Sequence, residues 1–324
     1  MTPLASAFAS ALAPALARYV TLKRALGRKY TVDLRVLRRF DRFLVEQRVA
    51  VAGDLTAARL HAYFAARPHH AARTFNAELG AVRRFIRWLV AHGELAACPL
   101  DLRARRVTSQ RVPFVFDLPL ARRLLGLARA LPDNPSGRRR GPTYHALFAL
   151  LYGLGLRAGE ACRLRCDDVD PDRRLLVVRA TKFGKTRLVP YGPRLGTLLA
   201  GELAHRRAAG AAPGGPLFTF DGARPVHPGT ASTVFLALTR GMHLPLPEGA
   251  SPPRLHDLRH SFAIGTLLRW YREGADVNAQ LPALATFLGH VDPTSTSVYL
   301  TATAELLRAG HARFEAFAAP GGGS

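Results

Sequence analysis

Cysteine is scarce in this chain: Cys98, Cys162 and Cys166 are the only three among 324 residues. So few thiols, so unevenly placed, exclude a disulfide scaffold, and no second Cys or His pair stands at zinc-ligand spacing. Cys162 and Cys166, one helical turn apart, read as small core residues in a reducing compartment. Long apolar runs are missing too. No stretch reaches membrane-spanning length without a proline or a charge, so no membrane partner is expected. The uncharged, alanine-rich residues 1–17 lack the basic start of a secretion signal, because Arg18, Lys23 and Arg24 follow the apolar part. Carboxylates are few: 23 Asp and Glu face 46 Lys and Arg, a net charge of +23. A GC-rich gene inflates arginine, and the presence of only four lysines fits that bias. Codon bias does not remove acids, however, so the excess speaks for a polyanionic partner, nucleic acid first.

What is abundant is helical period. With 48% hydrophobic residues, the chain is long enough for two soluble domains with cores of their own. Residues 8–98 read as helices alone. Leu16-x-x-Tyr19-Val20 begins the first, and Leu34-x-x-Leu37-x-x-Phe40-x-x-Phe43-Leu44 forms the second. A shorter helix around Leu60-x-x-Tyr63-Phe64 is entered through Asp54-Leu55-Thr56, and a fourth runs from Thr74 to Leu89 and ends near Gly93. Arg83, Arg84 and Arg87 on that fourth helix are candidates for phosphate contact. Residues 99–113 have no apolar period and hold Arg103, Arg105, Arg106 and Arg111, a basic linker suited to wrapping DNA. Beyond it the pattern predicts helices near 117–130 and 143–165, then strands over 174–179 and 187–190 joined by a tight turn. Further helices are expected near 193–208, 228–242, 256–273, 278–289, 294–300 and 304–318. The expected division is a helical domain over 1–98, a linker over 99–113, a mainly α domain with a small antiparallel β-sheet over 114–319, and a flexible tail over 320–324.

One chemical set is spread over the second half. It comprises Arg157 in Gly155-Leu156-Arg157-Ala158-Gly159-Glu160, Lys182 in Thr181-Lys182-Phe183-Gly184-Lys185, His256 and Arg259 in His256-Asp257-Leu258-Arg259-His260, His290 after Leu288-Gly289, and Tyr299. Attack on a phosphodiester needs a nucleophile, charge stabilisation on the non-bridging oxygens and a proton for the leaving oxygen. Tyr299 supplies a nucleophile once a base or cation helps a phenol whose ordinary pKa is about 10. The planar forks of Arg157 and Arg259 fit phosphate oxygens and keep their charge. His256, three residues before Arg259, falls on the same helix face and suits proton transfer. Lys182 near the hairpin tip can reach a leaving oxygen, and His290 can steady the pentacoordinate transition state. Taken singly these are a core aromatic, solvated cations and a helix-start histidine; the order and spacing of the set carry the reading.

These motifs in this order resemble the tyrosine recombinase (phage integrase) family, over about 114–302 and more loosely over the N-terminal helices. The resemblance implies an N-terminal SAM-like four-helix core-binding domain and a C-terminal catalytic domain whose last helix docks on a neighbour. It implies strand cleavage by Tyr299 through a 3′-phosphotyrosyl bond, rejoining by a second 5′-hydroxyl, and two rounds through a four-way junction, with neither metal, ATP nor other cofactor. The partner would be double-stranded DNA, the assembly a homo-tetramer, alone or with related recombinases, and the location the cytoplasm beside the nucleoid. Glu160 would support the catalytic groups without touching DNA. Lys185 competes with Lys182, which is preferred because it follows the first strand and precedes Gly184; Lys185 is then a DNA-contact candidate. The segment from His260 to His290, with Arg269-Trp270-Tyr271-Arg272-Glu273-Gly274, is longer than in compact chromosome-dimer-resolving members and resembles recombinases of transposon-like elements.

Other patterns carry less. Gly184-Lys185-Thr186 ends like a phosphate-binding loop, but Arg179 stands where its first glycine belongs. The acidic run Asp167-Asp168-Val169-Asp170-Pro171-Asp172 lacks the glycine and distal glutamate of a calcium loop and reads as a polar loop. Hydrolase-like His260-Ser261 has no Gly-x-Ser-x-Gly elbow. Two rivals share part of the set: a type IB topoisomerase, which rejoins the same strand, and a non-catalytic DNA-binding protein on the same fold. A Tyr299→Phe variant separates the second from an enzyme.

Overall fold

The computed structural model describes residues 8–27, 30–66, 70–107, 111, 113–135, 137–179, 186–244, 246 and 252–289. The chain divides into two compact units, residues 1–110 and 111–324. Among the described residues, no helix is long and apolar enough to cross a membrane.

The first unit is helical. Its elements are α1 (Ala13–Ala25), α2 (Thr31–Glu46), α3 (Ala57–Ala65) and α4 (Ala72–Ala91). Each buries the stripe that its apolar period marks: Leu16, Tyr19 and Val20 from α1, Leu37, Phe40 and Leu44 from α2, Leu60 and Tyr63 from α3, and Val82, Phe85 and Leu89 from α4. Rings interlock at the centre, with Phe40 edge-on to Tyr63 at 5.1 Å. The Thr56 hydroxyl caps α3 by accepting from the Arg59 amide. Beyond α4 the chain stays with this unit. Leu100 is buried in its core, Asn76 exchanges two hydrogen bonds with the Arg105 backbone, and the Arg105 guanidinium lies 3.9 Å over the Phe75 ring.

In the second unit, α5 (Leu118–Arg129) starts where the Asp117 carboxylate accepts from the Leu120 amide. The helix expected near 143–165 is two helices, α6 (Arg140–Leu154) and α7 (Ala158–Cys162). The break is Gly155, which closes α6 in a left-handed conformation with φ 59°. Cys162 and Cys166 are consequently not on one helix; Cys166 opens a 3-10 turn after α7. Burial pushes the Cys162 thiol up to about 12, so it stays a packed, protonated side chain. The acidic run also differs from a simple loop. It contributes β1 (Val169–Asp170), antiparallel to β2 (Leu175–Val178), which pairs in turn with β3 (Arg187–Pro190). The central helix α6 is apolar all round and packs against α5, α7, α8 (Pro193–Ala208) and α10 (Asp257–Arg272). The remaining helices are α9 (Pro228–Gly241) and α11 (Val277–Leu288); α10 and α11 bury a smaller cluster around Ile264, Leu267 and Leu284. The helices expected near 294–300 and 304–318, the 320–324 tail and the hairpin turn lie outside the described residues.

Candidate active site

The last carbonyls of any helix lack partners within it. At the C-terminal end of α11, three consecutive ones are taken by three arginines from three different elements. Arg187 of β3 donates through Nε to Phe287 O at 2.9 Å, Arg259 of α10 through Nη2 to Leu288 O at 2.9 Å, and Arg157 through Nη2 to Gly289 O at 2.9 Å. The helix ends on Gly289 at φ 69°, and a Cβ there would stand 2.7 Å from Arg187 Nη1. Glycine thus serves the left-handed turn and the close approach together.

Arg157 sits at the N-cap of the short α7, and Glu160 three residues on accepts from both its amide, at 3.0 Å, and its Nη1, at 2.7 Å. The same carboxylate accepts from Arg187 Nη2 at 2.8 Å. Burial favours the protonated acid, but hydrogen bonds and charge from Arg187, then Arg157, hold Glu160 down at about 2. Glu160 therefore stays ionised and ties two guanidiniums together. Arg259 is only 1% exposed and donates through Nη1 to Gly155 O at 2.6 Å, at the turn that leads into Arg157.

The Arg259 side chain is buried, whereas that of His256, three residues earlier at the N-cap and itself in helical conformation (φ -67°, ψ -18°), is exposed. The His256 imidazole stands 4.7 Å from that of His260, edge to face. His256 lines a cavity of about 680 Å³ together with Ala158, Arg254 and the apolar Pro228, Leu236 and Leu255. The start of α10 is pinned by buried Asp257, which Arg111 meets with both terminal nitrogens at 3.1 and 2.9 Å. That fourth arginine of the expected linker is committed inside the second unit. Burial, only partly opposed by Asp257, lowers the His260 pKa. Ser261 is buried and joins the Phe116 amide to the Asp257 carbonyl, a structural role. Lys182, Lys185, His290 and Tyr299 lie outside the described residues.

The first unit presents a second candidate surface. Arg35, Arg38, Arg39 and Arg42 of α2 line a groove of about 530 Å³ with Thr74 and Glu78 of α4. Their spacing is helical, a signal present in the sequence but hidden by the stronger apolar stripe of the same helix. Of the arginines singled out on α4, Arg83 donates to Leu102 O, Arg84 pairs with Asp33 at 2.8 Å, and Arg87 is exposed. Arg103 and Arg106 are exposed, while Arg105 is held by Phe75 and by His70 O at 3.0 Å. Arg187 was legible only as a strand residue; nothing local marks it as part of the site.

Comparison with known proteins adds to this geometry. The phage integrase family model matches residues 129–305. The putative integrase/recombinase y4rB of Sinorhizobium fredii is 35% identical over 309 residues, covering 93% of this chain and 96% of that protein. The tyrosine recombinase XerC of Methylobacterium sp. is 34% identical over 247 residues, covering 74% and 71%. A solved structure of the Tn1549 transposon integrase in complex with transposon right end DNA superposes with a TM-score of 0.64 at 17% identity, covering 94% of this chain and 99% of that one. At that identity the likeness concerns the fold.

Proposed function

Because this chain belongs to the phage integrase family and is a site-specific tyrosine recombinase, we propose that Tyr299 is its nucleophile and that Arg157 and Arg259 bind the scissile phosphate. The observation that carries this is the convergence of both arginines on the end of α11, one residue before His290 in the sequence, with His256 lining a cavity that Ala158, next to Arg157 in the chain, also lines. The Tyr299 phenol gives its proton to His256 as its oxygen attacks phosphorus, and the bond to the 5′ oxygen breaks. The arginines neutralise charge on the non-bridging oxygens, and His256 and His290 hydrogen-bond the same group. Lys182 gives the departing oxygen its proton, leaving a 3′-phosphotyrosyl bond and a free 5′-hydroxyl. A 5′-hydroxyl of the other duplex reverses the step, so bond energy is kept and no nucleotide cofactor is consumed. Exchanging two duplexes takes four cleavages, and each chain carries one Tyr299; a tetramer through a four-way junction follows from that count.

The first unit is read as the core-binding domain. Its α2 arginine groove, with Arg87, Arg103 and Arg106, would run along the phosphate backbone, joined by Lys185 of the hairpin. A DNA substrate places the protein beside the nucleoid in the cytoplasm. The test is covalent trapping in EDTA: wild type and Tyr299→Phe meet fragmented DNA, are denatured, and are analysed by mass spectrometry. A DNA adduct on Tyr299 in the wild type alone is the expected result; an equal yield from the variant would assign the nucleophile elsewhere.

A further inference from the structure

We propose that Arg187 is a positioning residue for DNA cleavage: it locks the hairpin strand β3, the Glu160–Arg157 pair and the end of α11 into one geometry. The inference rests on the assignment of Arg157 and Tyr299 given above.

Three contacts carry it. The Arg187 side chain is 12% exposed, and its Nε and both terminal nitrogens are turned to acceptors of the protein itself. Its two terminal nitrogens meet the two oxygens of Glu160, at 3.2 and 2.8 Å, while Nε reaches Phe287 O at 2.9 Å. It also fills the space that a side chain at position 289 would need. One planar group thereby joins segments 27 and 100 residues away along the chain. Each segment abuts a reacting group: Glu160 grips Arg157, Gly289 precedes His290, and β3 is the returning strand of the hairpin that bears Lys182.

The chemistry of the fork explains why arginine stands there. Five donors in a fixed plane allow a two-pronged carboxylate pair and a carbonyl bond together, which a lysine ammonium cannot match in direction. Without Arg187, buried Glu160 keeps one cation instead of two and can draw Arg157 fully onto itself, away from phosphate. The Gly289 turn would also lose the group packed against it. Small displacements of catalytic groups cost rate more than binding, because phosphate contacts elsewhere supply most of the affinity.

The test uses the full chain with R187A, R187K and E160Q. The probe is a library of nicked, randomised-sequence DNA duplexes in EDTA, with Tyr299→Phe as the blank. Thermal unfolding checks that each variant is folded, filter retention reads binding, and denaturing gels read the rate of adduct formation. R187A is expected to bind DNA within about twofold of wild type and to form adduct about 10- to 100-fold more slowly. Added methylguanidinium should restore part of that rate in R187A and none in E160Q, a rescue that a purely structural loss would not show. R187K should fall between wild type and R187A. Wild-type rate in folded R187A, or binding that falls in proportion to adduct yield, overturns the proposal. If the wild type itself forms no adduct on Tyr299, the underlying reading fails first, and that shows before any Arg187 variant is compared.

Discussion

Glu160 is a carboxylate that burial pushes toward the neutral acid and that Arg187 and Arg157 keep charged. Its folded pKa of about 2 lies below the ordinary glutamate value, so its stabilising contribution is complete above about pH 4.5 and is lost as pH falls toward 2. Wild type should therefore lose on the order of 3 kcal/mol relative to Glu160→Gln across that window, since each pKa unit is worth about 1.4 kcal/mol. Urea unfolding at a series of pH values checks this; parallel curves for the two proteins would contradict it. Arg157 and Arg259 were legible from spacing, because each stands in a short motif with a fixed neighbour. Arg187 was not, since its partners are distant in sequence and appear only when β3, α7 and α11 meet. The spacing of three between His256 and Arg259 is kept helical by the αR conformation of His256; that one side chain is exposed and the other buried was left to packing.

Elements decide where those residues stand. Gly155 ends α6, turns the chain into Arg157 and offers its carbonyl to Arg259. A Cβ at Gly155 would lie 2.6 Å from Phe262 and 2.8 Å from Leu288, at a positive φ. Gly155→Ala should cost about 2 kcal/mol or more of stability through strain and overpacking and should slow cleavage by moving Arg259. A melting temperature and cleavage rate equal to wild type would refute that role. On α2, the stripe Arg35, Arg38, Arg39 and Arg42 faces a groove while the opposite side fills the core. Replacing two of these with alanine should weaken DNA binding and reduce the slope of log K against log salt by about 0.9 for each phosphate that is no longer neutralised. An unchanged slope would remove the groove from the interface.

At the scale of the whole molecule, a net charge of +23 makes salt the main control of affinity. Binding of the full chain to duplex DNA should fall steeply between low and physiological salt, and a flat titration would contradict a phosphate-dominated interface. Each unit has its own buried core, and the described residues up to Val107 pack with the first. Residues 1–110 produced alone should therefore unfold in one cooperative thermal transition and still bind duplex DNA with salt sensitivity. A non-cooperative melt would show that this unit depends on the second.

The sequence by itself determined what is local. Apolar period set the helices because each needs one buried stripe, short apolar runs on either side of a turn set β2 and β3, and motif order pointed to a tyrosine recombinase. Composition determined the class of partner, since excess charge acts without regard to fold. Tertiary structure alone decided which cations are engaged by the protein itself: Arg111 with buried Asp257, Arg105 over Phe75, and Arg84 in a surface pair with Asp33. It also decided that three arginines gather on one helix end. Unpaired carbonyls and a buried carboxylate attract guanidiniums only at contact distance, and contact between residues a hundred positions apart is a property of the packed chain.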